Sequence, residues 1–134
     1  MTGRPLFVYG TLRRGGSNDI ARMRPAPQLL GVAAIAGRLY NLGAYPGLVL
    51  DSAAGSVRGE LYWIAPELER RLDRLEGVSA PPRSDDEYFK RKVSVQQDGR
   101  AIDCLVYEIN PQRVVAAPLI GGGDWLDWLA RPRD

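Results

Sequence analysis

The chain contains no histidine, a single cysteine and only two lysines, Lys90 and Lys92. Without histidine there is no Ser-His-Asp or Cys-His nucleophilic system, no imidazole acid or base, and no His-bearing zinc site. One cysteine makes neither an internal disulfide nor a cysteine-rich metal cage. No apolar run approaches the roughly 20 residues that cross a bilayer as a helix. The opening Met1-Thr2-Gly3-Arg4-Pro5 lacks the apolar core of a signal peptide. These absences point to a soluble cytoplasmic protein with no membrane partner. Any proton transfer it performs is expected to run through a carboxylate, with Tyr, Lys and water as the other candidates.

What is present fits one folded unit. The 134 residues are 45% apolar and 25% charged, near the averages of globular domains, and a single domain over 1–134 is expected. Sixteen carboxylates face eighteen Lys plus Arg, a formal charge of only +2. The basic residues are scattered rather than gathered in a patch, so a nucleic-acid partner is not expected.

The apolar run Leu6-Phe7-Val8-Tyr9 reads as a buried strand feeding a polar, glycine-bearing loop, Gly10 to Asn18. A short helix from Ser17 or Asn18 would be stopped by Pro25 and Pro27. Gln28 to Tyr40 reads as one long bent strand or two, with Gly31 and Gly37 at bulges or close approaches. Short strands follow at 48–50 and 57–64. The clearest helix starts at Pro66, which suits a first helical position. Its stripe is Leu68, Leu72 and Leu75, with Glu67 and Arg71 as an i, i+4 pair and Gly77 as the stop. Strands at 88–95 and 101–109 flank Asp98-Gly99, a strong hairpin signal. Asp124 could cap a last turn carrying Trp125 and Trp128. With no regular βαβ alternation, the expected fold is α+β, around a mixed or mostly antiparallel sheet that could close as a small barrel.

Several groups of residues could carry chemistry. The loop Tyr9-Gly10-Thr11-Leu12, with Gly15-Gly16 beyond it, could aim successive amides at a carboxylate or phosphate. It lacks the Lys-Ser/Thr of a P-loop, and a plain turn is the alternative. Glu76 closes the helix just before Gly77. The negative helix end and partial burial should both raise its pKa above the usual carboxylate value, which suits an acid/base group; an ordinary solvated glutamate is the alternative. Tyr40, Tyr45, Tyr88 and Trp125 lie at loop and strand junctions, where they could line a pocket or simply pack in the core. Cys104, mid-strand, reads as an inert buried thiol. Asp85-Asp86-Glu87 reads as a solvated loop in preference to a metal site, and no metal is expected.

Taken in order, these segments resemble the gamma-glutamylcyclotransferase-like, or AIG2-like, superfamily. The matching pieces are Phe7-Val8-Tyr9-Gly10-Thr11-Leu12-Arg13, Gly37-Arg38-Leu39-Tyr40 with Tyr45-Pro46-Gly47, Leu72-Asp73-Arg74-Leu75-Glu76-Gly77, Tyr88, and Gly123-Asp124-Trp125. Each piece is short, but together they span nearly the whole chain. The resemblance implies a mixed, mostly antiparallel small β-barrel with flanking helices and a cavity at one side. It implies cyclisation of an N-terminal γ-glutamyl group of a small amine or peptide to 5-oxoproline, with Glu76 as the acid/base and no cofactor. Substrate binding would then fall to Tyr9, Gly10, Thr11, Leu12, Tyr45, Tyr88 and Trp125. A non-catalytic small-molecule-binding protein of the same fold is the alternative. Compact length and the Tyr-Gly-Thr-Leu form are closest to γ-glutamylamine cyclotransferases. Two departures bear on the leaving-group side: Tyr88-Phe89-Lys90-Arg91 stands where the family often has Tyr-x-Arg, and the loop 78–87, with Pro81-Pro82, is long enough to cover or reshape the pocket.

Overall fold

In the computed structural model, which describes residues 3–132, the run Leu6-Phe7-Val8 belongs to β1 (Arg4–Val8). β1 lies between β4 (Ser56–Ile64) and β6 (Arg100–Ile109), antiparallel to the first and parallel to the second. Both of its faces are covered, which explains an unbroken apolar run in place of alternation. The remaining strands are β2 (Gln28–Asn41), β3 (Pro46–Leu50) and β5 (Tyr88–Gln97). The sheet order is β3-β2-β4-β1-β6-β5. β2 also pairs with β5 at Ala34 and Gln96, which closes five strands into a mixed, mostly antiparallel barrel. The expected fold is thus the observed one.

β2 is a single long strand that, besides its contact with β5, divides its length between two partners. Its first part, Gln28 to Ala36, pairs with β4, and its end, Gly37 to Asn41, pairs with β3. Gly31 sits at the bulge with φ of 129°, a value that disfavours any side chain. At Gly37 a Cβ would lie 2.6 Å from the Leu48 side chain and 2.8 Å from the Val49 carbonyl oxygen. The β5–β6 hairpin turns at Asp98-Gly99, both at positive φ, as a two-residue turn of this composition requires.

Two clusters divide the core. Phe7, Ala33, Ile35, Val57, Leu61, Val95, Cys104 and Val106 come from all five barrel strands and fill the barrel. The opposite faces of β1, β4 and β6 present Leu6, Val8, Tyr62, Ile64, Leu105 and Tyr107, on which α1 (Pro66–Leu75) lays Leu68 and Leu72. Leu75, expected on the same stripe, is 53% exposed instead: it is the last residue of the helix and stands at the edge of a cavity. The expected Glu67–Arg71 pair is also absent: Glu67 faces Arg70, and Arg71 donates to the Arg24 carbonyl. The short helix foreseen after Ser17 is a 3₁₀ turn, Ile20–Arg22, capped by Asp19. A second 3₁₀ turn, Pro111–Val114, precedes α2 (Trp125–Ala130), which Asp124 caps by accepting from the Asp127 amide. No described helix is long and apolar enough to cross a membrane.

Polar bonds add to the apolar seat of α1. Arg4 makes a two-pronged contact with Glu69 at 2.9 and 2.6 Å. Lys90 donates to both Glu69 and Asp73, and the Tyr107 hydroxyl donates to Asp73 at 2.7 Å. The hydrogen bond from Arg4, with help from Lys90, lowers the Glu69 carboxyl from 4.5 to about 2. A depressed folded-state pKa stabilises the fold above pH 4.5 and loses that contribution as pH falls toward 2. Thermal unfolding between pH 5 and pH 2 is therefore expected to show an acid-dependent loss of stability that is smaller in Glu69→Gln.

Candidate functional site

The loop after β1 is built on a buried arginine. Arg13 is 7% exposed; its Nε donates to Glu60 of β4 at 2.8 Å and its Nη1 to Asp124 at 2.8 Å. The other oxygen of Glu60 accepts the Arg14 amide at 2.9 Å. The loop carbonyls are also occupied: Gly10 accepts from Arg13, Thr11 from Asn18, and Leu12 from Ile20. By contrast, the Thr11 and Leu12 amides donate to no group among the described residues. They are the donors this loop leaves available. Gly10 allows close packing here, since a Cβ would lie 2.7 Å from the Pro46 ring.

Opposite this loop stands the C-terminal end of α1. The Gly77 amide bonds the Arg74 carbonyl at 3.2 Å and the Val78 amide bonds Asp73 at 2.9 Å, with Gly77 at φ of 69°. This is a Schellman ending, and it puts Glu76 at the cap position. Its side chain is half-buried and has no hydrogen-bond partner among the described residues. Burial first, and then the charge of Glu87, raise its carboxyl from 4.5 to about 7. The direction agrees with the sequence expectation. The neighbouring charge that contributes is Glu87, where the sequence pointed to the helix dipole.

Loop and helix end meet across a cavity of about 290 Å³. Tyr9, Gly10, Thr11, Leu12, Tyr45, Glu76 and Tyr88 all line it, as do Glu87, which the sequence assigned to a solvated acidic loop, and Tyr107, which it did not single out. Tyr107 had a readable signal, because it follows Leu105 and precedes Ile109 on one face of β6. The Tyr9 hydroxyl donates to the Tyr107 carbonyl at 2.6 Å and accepts from the Leu48 amide; the Tyr88 hydroxyl donates to the Pro46 carbonyl at 3.0 Å. Burial pushes the phenols of Tyr9, Tyr88 and Tyr107 far above the usual tyrosine range, so all three stay neutral walls.

Trp125 lies elsewhere. It is 2% exposed in the barrel-filling cluster, its ring stacked on Trp128 at 5.5 Å, and it does not line the cavity. The reason is the approach of α2: Arg13 holds Asp124, and the Gly123 carbonyl accepts the Arg58 amide of β4. Those bonds turn the next residue into the barrel. The acidic run 85–87 also divides. Asp85 is exposed, while Asp86 is buried and accepts from the Ser79 amide and hydroxyl and from the Arg83 amide. Glu87 reaches the cavity, where it accepts a hydrogen bond from the Tyr45 hydroxyl. The loop 78–87 is thus pinned through Asp86, and through Asn110, which donates to the Ser84 and Asp86 carbonyls. Among the described residues no group of three or more His, Cys, Asp or Glu side chains could hold a metal.

Comparison with known proteins places this geometry. Residues 6–127 match the family model for gamma-glutamyl cyclotransferase, AIG2-like, so the chain belongs to that family. A Halalkalibacterium halodurans protein, provisionally named a gamma-glutamylcyclotransferase, is 40% identical over 93 residues, 69% of this chain and 80% of its own. The gamma-L-glutamyl-butirosin B gamma-glutamyl cyclotransferase of Niallia circulans is 38% identical over 95 residues, covering 70% of this chain but only 59% of that protein. YkqA from Bacillus subtilis superposes with a TM-score of 0.73 at 26% identity, over 94% of this chain and 40% of the longer YkqA chain.

Two stability effects follow from the site. Removing one partner of a buried ion pair costs about 3–5 kcal/mol, so Glu60→Ala is expected to destabilise the protein by that order in urea unfolding. Glu76 acts in the other direction. Its folded-state pKa is raised, so its contribution to stability is full below pH 4.5 and is lost as pH rises through about 7. Glu76→Gln is therefore expected to have a higher melting temperature than the wild type at pH 8, the gap closing toward pH 4.

Proposed function

We propose that the protein is a γ-glutamyl cyclotransferase that converts the γ-glutamyl group of a small amide or peptide to 5-oxoproline and releases the amine. The carrying observation is the pairing, across one cavity of about 290 Å³, of an unpartnered carboxyl raised to about 7 with the available amides of Thr11 and Leu12. Family membership and the activities in the relatives' names support the reading.

In this reading the substrate brings its own nucleophile, which removes the need for a histidine-activated side chain. Ionised Glu76 takes a proton from the α-ammonium of the glutamyl head. The freed amine attacks the γ-carbonyl, forming the ring carbon–nitrogen bond and an oxyanion. The oxyanion then collapses to the lactam carbonyl and the bond to the leaving nitrogen breaks as Glu76 returns the proton to it; the second proton on the ring nitrogen passes to the released amine, which departs as an ammonium. A group near pKa 7 can both accept and return that proton at neutral pH. The amides of Thr11 and Leu12 serve as donors to anionic oxygens of the glutamyl head. Ring closure is intramolecular, and well-oriented reactions of this kind reach effective molarities of about 10⁵–10⁸ M, so holding the head in a folded conformation supplies much of the rate. The steps as written use no metal or organic cofactor.

The test is a panel of γ-glutamyl-lysine, other γ-glutamyl amines and glutathione, read as 5-oxoproline. Loss of a positioned general acid/base lowers turnover about 10²–10⁴-fold, and Glu76→Gln is expected to fall in that range while keeping its fold. For the wild type, kcat/KM should rise with pH through about 7, because the ionised carboxylate is the active form. A glutamine variant as fast as the wild type would rule out the role given to Glu76.

A further inference from the structure

The cavity holds a second carboxylate that the reaction scheme leaves unused. Glu87 lines it together with Glu76, and no lysine or arginine does so among the described residues. Tyr45 fixes one oxygen of Glu87, Oε2, by hydrogen bonding. Tyr45 is itself held edge-on against Tyr88, with ring centroids 6.5 Å apart. The other oxygen of Glu87, Oε1, accepts no hydrogen bond among the described residues. From outside the cavity, Arg113 acts electrostatically on the Tyr45 phenol. It donates to the Asp85 carbonyl at 2.9 Å and does not line the cavity.

Two carboxylates in one small cavity repel each other, and that repulsion contributes to holding a proton on Glu76. A cation between them would relieve it. A carboxylate can only accept hydrogen bonds, whereas an ammonium brings three donors and no acceptor. Such charge-assisted bonds are roughly twice as strong as neutral ones.

We propose that Glu87, held by Tyr45, is a specificity-determining residue that binds a substrate ammonium beside Glu76. The inference rests on the cyclotransferase reading for the shape of the substrate. Two ammonium groups fit its chemistry: the α-ammonium of the glutamyl head, and a second one carried by the amine that is released. The substrate class is therefore a γ-glutamyl amide presenting an ammonium to the Tyr45–Glu87 wall, and a ligand without one is disfavoured.

The experiment is calorimetric titration of Glu76→Gln, in which turnover is strongly slowed under the proposed scheme, against the double variant Glu76→Gln/Glu87→Gln. The ligands are the butylamine and diaminobutane monoamides of glutamate, linked through the γ-carboxyl, and of glutarate, which lacks the α-ammonium. Loss of a hydrogen bond to a charged group is worth about tenfold or more in affinity. The double variant is expected to lose that factor for the ligands carrying the recognised ammonium and to bind glutaryl-butylamide as before. If the affected ligands are the two glutamate amides, Glu87 holds the α-ammonium; if they are the two diamine amides, it holds the ammonium of the released amine. Either pattern supports the proposal. An unchanged set, an equal loss for every ligand, or no binding of any ligand to Glu76→Gln at millimolar concentration overturns it. Should the double variant not fold, Glu76→Gln alone decides: glutaryl-butylamide binding as tightly as the three ligands that carry an ammonium overturns the proposal. Formation of 5-oxoproline by the wild-type protein tests the cyclotransferase reading separately. A protein without turnover that still discriminates by charge would lose that reading and keep the ammonium-binding role of Glu87.

Discussion

The buried guanidinium of Arg13 is the constraint from which the geometry of the cavity follows. It joins three distant parts of the chain: the loop after β1, Glu60 on β4, and Asp124 at the start of α2. A desolvated charge of this kind tolerates few arrangements, because each partner must satisfy it without help from water. Two consequences follow on opposite sides of the loop. On one side the Gly10–Leu12 backbone is held with its carbonyls bonded and the Thr11 and Leu12 amides unused. On the other, α2 is steered so that Trp125 closes the barrel. The same ion pair that shapes the cavity thus keeps the tryptophan out of it.

The far wall depends on a different balance. Apolar contacts of Leu68 and Leu72 and the Arg4–Glu69–Lys90–Asp73 bonds seat α1 firmly, whereas Glu76 at its end has no bonding partner among the described residues. The helix can present a carboxyl without a protein partner because its body is fixed and its last turn is locked by the Schellman bonds. Lys90, which stands at the position of the arginine in the Tyr-x-Arg pattern, takes part in that seating by bridging Glu69 and Asp73. Its place is under the helix, outside the set of cavity-lining residues.

Features governed by neighbours in sequence were legible from the chain alone. Pro66 starts the helix and Gly77 stops it, Asp98-Gly99 makes the hairpin, and Asp124 caps α2. Seven of the eight site residues named from sequence and resemblance line one cavity, Trp125 being the exception. What was not legible depends on pairings distant in sequence. Closure of the barrel brings Ala34 against Gln96, with Gln97 donating to the Leu30 carbonyl beside them, and no local pattern marks it. Glu87 reaches the cavity because Asp86 beside it turns inward to accept three hydrogen bonds from Ser79 and Arg83. From sequence, three consecutive acids give no sign of which one faces in. For Tyr107 the face of β6 was legible, shared with Leu105 and Ile109, but not that this position borders the cavity.

The one cysteine of the chain has a use apart from any chemistry of the cavity. Cys104 projects into the barrel-filling cluster at 6% exposure, and burial pushes its thiol up to about 12. The thiolate is the reactive form, so a modifying reagent meets almost none of it while the staves are together. The chain therefore carries a built-in reporter at its centre: the rate at which Cys104 is labelled measures how often the closed ring of strands comes apart, with no probe having to be introduced.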